Sequence, residues 1–200
     1  GNAEDLDKRI EVLEKALAMT PMGDKNRLAW LNNLANALGE RDALRGKGAD
    51  LDKRIKLLEE ALKLMPEGDK NHPSMLNNLA VALGDRFALR GKAEDLDKRI
   101  EVLENLLLLT QEGDKDCPTR LDNFAIALLE CYALRGNAQD LDQSIELIEK
   151  ALALTPEGDE DRTVALNILA NALRVRFMLK GKAEVVPKKW TRAKRQNGYT

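Results

Sequence analysis

Histidine and cysteine are nearly missing from this 200-residue chain: there is one histidine, His72, and two cysteines, Cys117 and Cys131. A histidine-based metal site or a zinc finger needs more ligands than this. No disulfide framework is implied, which fits a reducing compartment and a cytoplasmic protein. Aromatics make up only 4% of the chain. Sheets prefer aromatic and β-branched residues, so their scarcity beside abundant Leu and Ala favours helices. No apolar run approaches the ~20 residues that span a bilayer. The opening GNAEDLDKRIEVLEK is charged throughout and does not read as a signal peptide. An excess of one charge is lacking too. Lys+Arg 32 against Asp+Glu 34 leave a net charge of -2, which argues against nucleic-acid binding by bulk charge. With 44% hydrophobic and 33% charged residues, wholesale disorder is excluded.

What is present is a repeat. Gly1, Gly46, Gly91, Gly136 and Gly181 stand 45 residues apart. A DLD segment follows each of the first four, at residues 5–7, 50–52, 95–97 and 140–142. The first two units share 28 identical positions of 45. Four units fill residues 1–45, 46–90, 91–135 and 136–180, and a 20-residue remainder, 181–200, follows.

Each unit reads as two helices. In the first, Leu6, Ile10, Leu13 and Leu17 form one apolar face, with Lys8, Glu11 and Lys15 opposite. Asp5 suits its N-cap, and Pro21 and Gly23 stop it. The second starts after Asp24, another cap candidate, and ends at the next repeat glycine. It carries two stripes, Leu31, Leu34, Ala35 and Leu38, and then Trp30, Ala37 and Leu44. Two stripes mean burial on two sides, as inside a stack. Ala35, Ala80, Ala125 and Ala170 allow close helix approach. Gly46, Gly91 and Gly136 stand where a left-handed residue ends a helix. About eight helices of about 15 and about 20 residues are expected.

These residues resemble a known family. DLDKRIKLLEEALKLMP, residues 50–66, is similar to the second helix of a tetratricopeptide (TPR) repeat, with Ala61 and the closing Pro66 in place. Leu31-Asn32-Asn33-Leu34-Ala35 and Leu76-Asn77-Asn78-Leu79-Ala80 look like the LNNLA signature of the kinesin-light-chain-like subclass. Later units drift to Leu121-Asp122-Asn123-Phe124-Ala125 and Leu166-Asn167-Ile168-Leu169-Ala170. The period departs from the usual 34. Arg9, Arg54, Arg99 and Ser144 replace a usual small alanine, so packing there must differ. Near-identical units also resemble arrays in fungal NOD-like and CHAT-type proteins. The resemblance implies an all-α, right-handed solenoid of four helix-turn-helix repeats. In the family's phase, the chain opens on a second-type helix and closes on a first-type one. Both end helices then expose an apolar face, and self-association through them is expected.

First-type helices of the family line a concave, peptide-binding groove. Carried over, the groove residues here are Asn32, Asn33, Asn36, Asn77, Asn78, Val81, Asp122, Asn123, Ile126, Asn167 and Asn171. Asparagine can donate to and accept from a peptide backbone whatever its side chains. The same ladder can instead bond between helices and fix their stacking. Specificity is expected where units vary: at Ala29, Ser74, Thr119 and Val164; at Asn36, Val81, Ile126 and Asn171; and at Gly39, Gly84, Leu129 and Arg174. Asp42, Phe87, Tyr132 and Phe177 share one position, where core packing is favoured over ligand anchoring. The recurring Asp5, Asp7, Lys8 and Arg9 read as caps and solvated ion pairs rather than a partner surface.

No nucleophile, base and orienter assemble around His72, Cys117 or Cys131, so no catalytic, cofactor or metal residue is assigned. The tail holds Lys188, Lys189, Arg192, Lys194 and Arg195, while all 34 acidic residues lie at or before Glu184. The body is therefore 27 basic against 34 acidic, or -7, and the tail +5. This tail, disordered or a partial capping helix, is the only candidate for nucleic acid. The expected function is non-catalytic protein or peptide binding in the concave face. The alternative is an oligomerisation or sensor module of a larger signalling protein, acting through its end faces.

Overall fold

Glycine, proline and aspartate set the helix boundaries. The computed structural model describes residues 3–46, 48–66, 68–111 and 113–185, with side chains as far as Leu179. Eight helices follow in order: α1 (Ala3–Met19), α2 (Arg27–Arg45), α3 (Leu51–Leu64), α4 (His72–Arg90), α5 (Ala93–Leu108), α6 (Cys117–Arg135), α7 (Ala138–Leu154) and α8 (Glu160–Val185). Gly46, Gly91 and Gly136 end α2, α4 and α6 with φ of 62°, 63° and 71°. A Cβ is disfavoured in that left-handed region, which is why glycine recurs there. Gly181 does otherwise: α8 runs through it to Val185, past the expected boundary at 180.

Two cap assignments are corrected. Asp5 lies inside the first turn of α1, where its charge faces the helix dipole but caps nothing. Asp24 stops short of the helix. Its Oδ1 accepts the Asn26 N–H at 2.8 Å, and Asp69, Asp114 and Asp159 do the same two residues on at 2.8, 3.0 and 3.0 Å. The carboxylate folds the loop, and the cap residues Asn26, Asn71 and Asp116 make no side-chain cap bond.

One junction differs. Ala3, Ala93 and Ala138 open their helices, but unit two has Gly48 at that place, with φ 56°. The helical first turn is lost and α3 starts three residues late, at Leu51. Here Asp42 Oδ1 accepts the Asp50 N–H at 3.3 Å.

Consecutive helices pack on one another along the whole chain, as a solenoid requires. One hydrophobic core runs from α1 to α8, with a smaller cluster of Leu141, Ile145 and Ala172 between α7 and α8. Leu31, Leu34, Leu38, Leu58, Leu83 and Leu103 are fully buried, each contributing about 1.5–3 kcal/mol. Ile10 and Leu13 of the first expected face are buried, and Leu6 and Leu17 pack against them half-buried. The second stripe stops short of its expected end: Leu44, Leu89 and Leu134, in the last turn of the long helices, are exposed. Ala35, Ala80 and Ala125 are buried, whereas Ala170 is exposed, having no following helix against it.

The asparagine face and the junctions between units

Two asparagine bonds join even-numbered helices directly. Asn78 Nδ2 of α4 donates to Asn36 Oδ1 of α2 at 3.3 Å, and Asn123 Nδ2 of α6 donates to Asn77 Oδ1 at 3.2 Å. Among the described residues, the odd-numbered helices α1, α3 and α5 are bridged by long side chains, Lys53 to Glu14 and Lys98 to Glu59. Short linkers on one row and long ones on the other place the even row on the tighter side of the stack.

The predicted groove residues therefore divide. Asn36, Asn77, Asn78 and Asn123 are half-buried and hold helices together. Asn33, Asn167 and Asn171 are exposed, and Asn171 Nδ2 donates to its own helix at the Asn167 carbonyl, 3.1 Å away. Val81 and Ile126 are half-buried in the same row. Asn32 Oδ1 and Asp122 Oδ1 are buried without a hydrogen-bond partner. Burial, and then the negative Asp161, push the Asp122 carboxyl up to about 6.

A cavity of about 300 Å³ opens on this row between α4 and α6, lined by Ser74, Asn77, Asn78, Asp116, Thr119 and Arg120. Ser74 and Thr119 belong to a position that is exposed in all four units, at Ala29, Ser74, Thr119 and Val164. Asp116 and Arg120 escaped the sequence reading. The signal for Arg120 was a lone arginine where other units carry Trp30, Met75 and Ala165. Its Nη1 donates to Asp114 at 2.5 Å and to Thr110 Oγ1 at 3.1 Å. Arg27 and Arg162 anchor their loops from one turn earlier, at the Thr20 and Thr155 carbonyls, 2.7 and 2.8 Å away. Cys117 holds that earlier position in unit three, so the anchoring arginine has moved by one turn.

At the third variable position, a neighbouring arginine covers the glycine in two units. A Cβ on Gly39 would lie 2.9 Å from Arg54 Cζ, and one on Gly84 would lie 2.8 Å from Arg99 Cζ. Each guanidinium lies flat on the glycine and pairs onward, Arg54 with Asp85 at 3.1 Å and Arg99 with Glu130 at 2.6 Å. In the third junction both partners change. Leu129 packs against the α7–α8 cluster, and the facing Ser144 is fully buried, its hydroxyl donating to the Leu141 carbonyl at 2.7 Å. Small faces large in every case, with the sizes exchanged.

The recurring charges form an ordered lattice. Arg41 donates to Asp50 of the next unit at 2.6 Å and to Asp7 of its own at 3.2 Å, while Arg45 reaches Asp7 at 2.5 Å. Arg86 repeats this with Asp95 and Asp52, and Arg90 with Asp52. Held by Arg90 and Arg86, the Asp52 carboxyl falls to about 2. Cys131 takes the arginine's place in unit three, leaving Arg135 alone on Asp97 at 2.5 Å. Cys131 is buried, and burial pushes its thiol up, away from the reactive thiolate. Phe87 and Tyr132 pack half-buried against apolar clusters, whereas Phe177 is 77% exposed.

Among the described residues no three His, Cys, Asp or Glu are placed to hold a metal ion. None of the described helices is long and apolar enough to cross a membrane. Lys188–Arg195, the basic stretch, lies outside the described residues.

No family model matches the chain, and no curated protein sequence does. Solved structures do. One is the set of nearly identical TPR-like repeats from Podosopora anserina, assigned as a kinesin light chain. It superposes with a TM-score of 0.62 at 17% identity, over 96% of this chain and 90% of that one. A variant of the same repeats gives a TM-score of 0.62 at 16% identity, over 96% and 89%.

Proposed function

With a TPR-like helical-repeat fold as the premise, we propose that the chain is a non-catalytic scaffold that binds an extended peptide on the even-helix face, as the concave side of the solenoid. The observation that carries this reading is the 300 Å³ cavity between α4 and α6, walled by hydroxyl and amide side chains together with the charged Asp116 and Arg120. Asn77 spends its carbonyl oxygen on Asn123 and Asn78 its amide hydrogen on Asn36. The unused halves, an NH₂ on Asn77 and a C=O on Asn78, suit the two polar groups of a peptide unit. Binding needs little rearrangement, because stacking has already built the site. Exposed Ser74 and Thr119 vary between units and select side chains at its rim.

Panning a random peptide library against the intact chain tests this. Enriched sequences are expected to lose at least tenfold in affinity on Ser74→Tyr, which fills the cavity from an exposed position, with the thermal midpoint unchanged. No enrichment, or binding indifferent to Ser74→Tyr, overturns the reading. Asn78→Ala and Asn123→Ala are poor probes, since each also breaks a bond between helices.

A further inference from the structure

The outward faces of α1 and α8 are the two halves of a junction that the chain already builds three times. Leu166 and Leu173 of α8 are 48% and 38% exposed, but their counterparts Leu31, Leu76 and Leu121, and Leu38, Leu83 and Leu128, are all at or below 8%. In those units the next odd-numbered helix covers them. Val12 of α1 is 56% exposed, against 7%, 7% and 8% for Leu57, Val102 and Leu147. We infer that a second copy of this chain docks its α1 on the α8 of the first, in the register of the α2–α3 and α4–α5 junctions.

Polar groups support that register as well as apolar area does. Arg86 bridges to Asp95 across a junction, and the same step carries Arg176 of α8 to the second copy's Asp5, which is exposed. Lys98 reaches Glu59, and the same step carries the second copy's Lys8 to Glu149, both exposed. Asn78 donates to Asn36; the equivalent pair is the second copy's Asn33 and Asn171. Asn33 and Asn171 are exposed, and Asn33 stands in the same asparagine-rich helix as the bonded set. Because α8 continues straight through Gly181 instead of turning back, nothing in the described chain competes for its face. One contact is wrong: Arg174 replaces Gly39 and Gly84, so it meets the second copy's Arg9, a like charge where a glycine belongs. Association is therefore weak, and open-ended, because the two faces are different surfaces. This inference does not depend on peptide binding.

Sedimentation velocity of the full chain, from about 1 µM to about 1 mM, is the test. The mass average is expected to rise continuously without stopping at a dimer. Val12→Glu and Leu173→Glu, both at exposed sites, each spoil one face, and each alone is expected to be monomeric. An equimolar mixture of the two restores one good junction and gives a 1:1 heterodimer. Arg174→Gly is expected to tighten association about tenfold. A monomer throughout the range overturns the inference, as does a closed symmetric dimer. Growth that survives both glutamate variants, or a mixture that stays monomeric, overturns it as well.

Discussion

Asp122 holds a position that is asparagine in the other three units, and it carries a cost there. Its Oδ1 is buried without a partner, and its carboxyl is raised to about 6 from an ordinary value of 3.8. A raised carboxyl opposes folding when ionised. The penalty is complete above pH 6 and disappears as pH falls from 6 to 4. Asp122→Asn is therefore expected to stabilise the protein at pH 7. The two-unit shift bounds the gain at about 2.7 kcal/mol, and screening at a half-exposed site reduces it to about 1 kcal/mol. Urea unfolding at pH 7, 5 and 4 checks this: the difference should vanish by pH 4, and a constant offset would refute it. Asp52 works in the opposite sense and in another window. Lowered to about 2 by its arginines, it adds stability that is lost as pH falls from about 4 toward 2. None of this was legible from residue type. The sequence shows Asp122 as a drifted asparagine, but the negative neighbour Asp161 comes from α8, a whole helical hairpin further along the chain.

At the scale of elements, side-chain sizes are exchanged between units across the junctions. Gly84 with Arg99 and Leu129 with Ser144 are two solutions to one gap between helices. Converting the second junction into the third makes a double-mutant cycle. Gly84→Leu alone drives a large side chain into Arg99, and Arg99→Ser alone leaves a void over Gly84 and Glu130 without its partner. Each is expected to cost about 2–3 kcal/mol. The double variant should recover at least about 1 kcal/mol of the sum. Additive losses in guanidinium unfolding would show the two positions to be independent. The helices themselves were legible, since the 3.6-residue period shows each one and the repeat glycines give the ends of α2, α4 and α6 to the residue, while the starts of α1 and α2 lie about two residues from those expected. Their facing residues were not. Gly39 reads as a surface position until Arg54 is seen lying on it, because that contact crosses from one unit to the next. Asp24 reads as a cap because an Asx turn two residues early uses the same residue type for the same carboxylate chemistry.

For the whole molecule, a row of units with only neighbour contacts has a stability that depends on position. The middle helices are covered from both sides, but α1 and α8 from one. Native-state hydrogen exchange at low protein concentration should show protection highest in α4 to α6 and at least about tenfold lower in α1 and α8. Uniform protection would mean that the array opens as one block. The 45-residue period made the architecture readable from residue 1 onward, but it could not locate a ligand surface. Every unit repeats the same motif, and the asparagines divide between stacking and exposure only once the row is assembled. The facing pairs have a further consequence for how such a gene can change. Gly39 and Arg54, Gly84 and Arg99, and Leu129 and Ser144 are each 15 residues apart. Unequal crossing-over between similar units can gain or lose 45 codons anywhere. A breakpoint inside those 15 residues separates the partners. It can set Leu129 against an arginine helix, or Ser144 against a glycine one. Breakpoints elsewhere in the unit, or an exchange between the two glycine–arginine junctions, yield a chain of altered length whose new junction still fits.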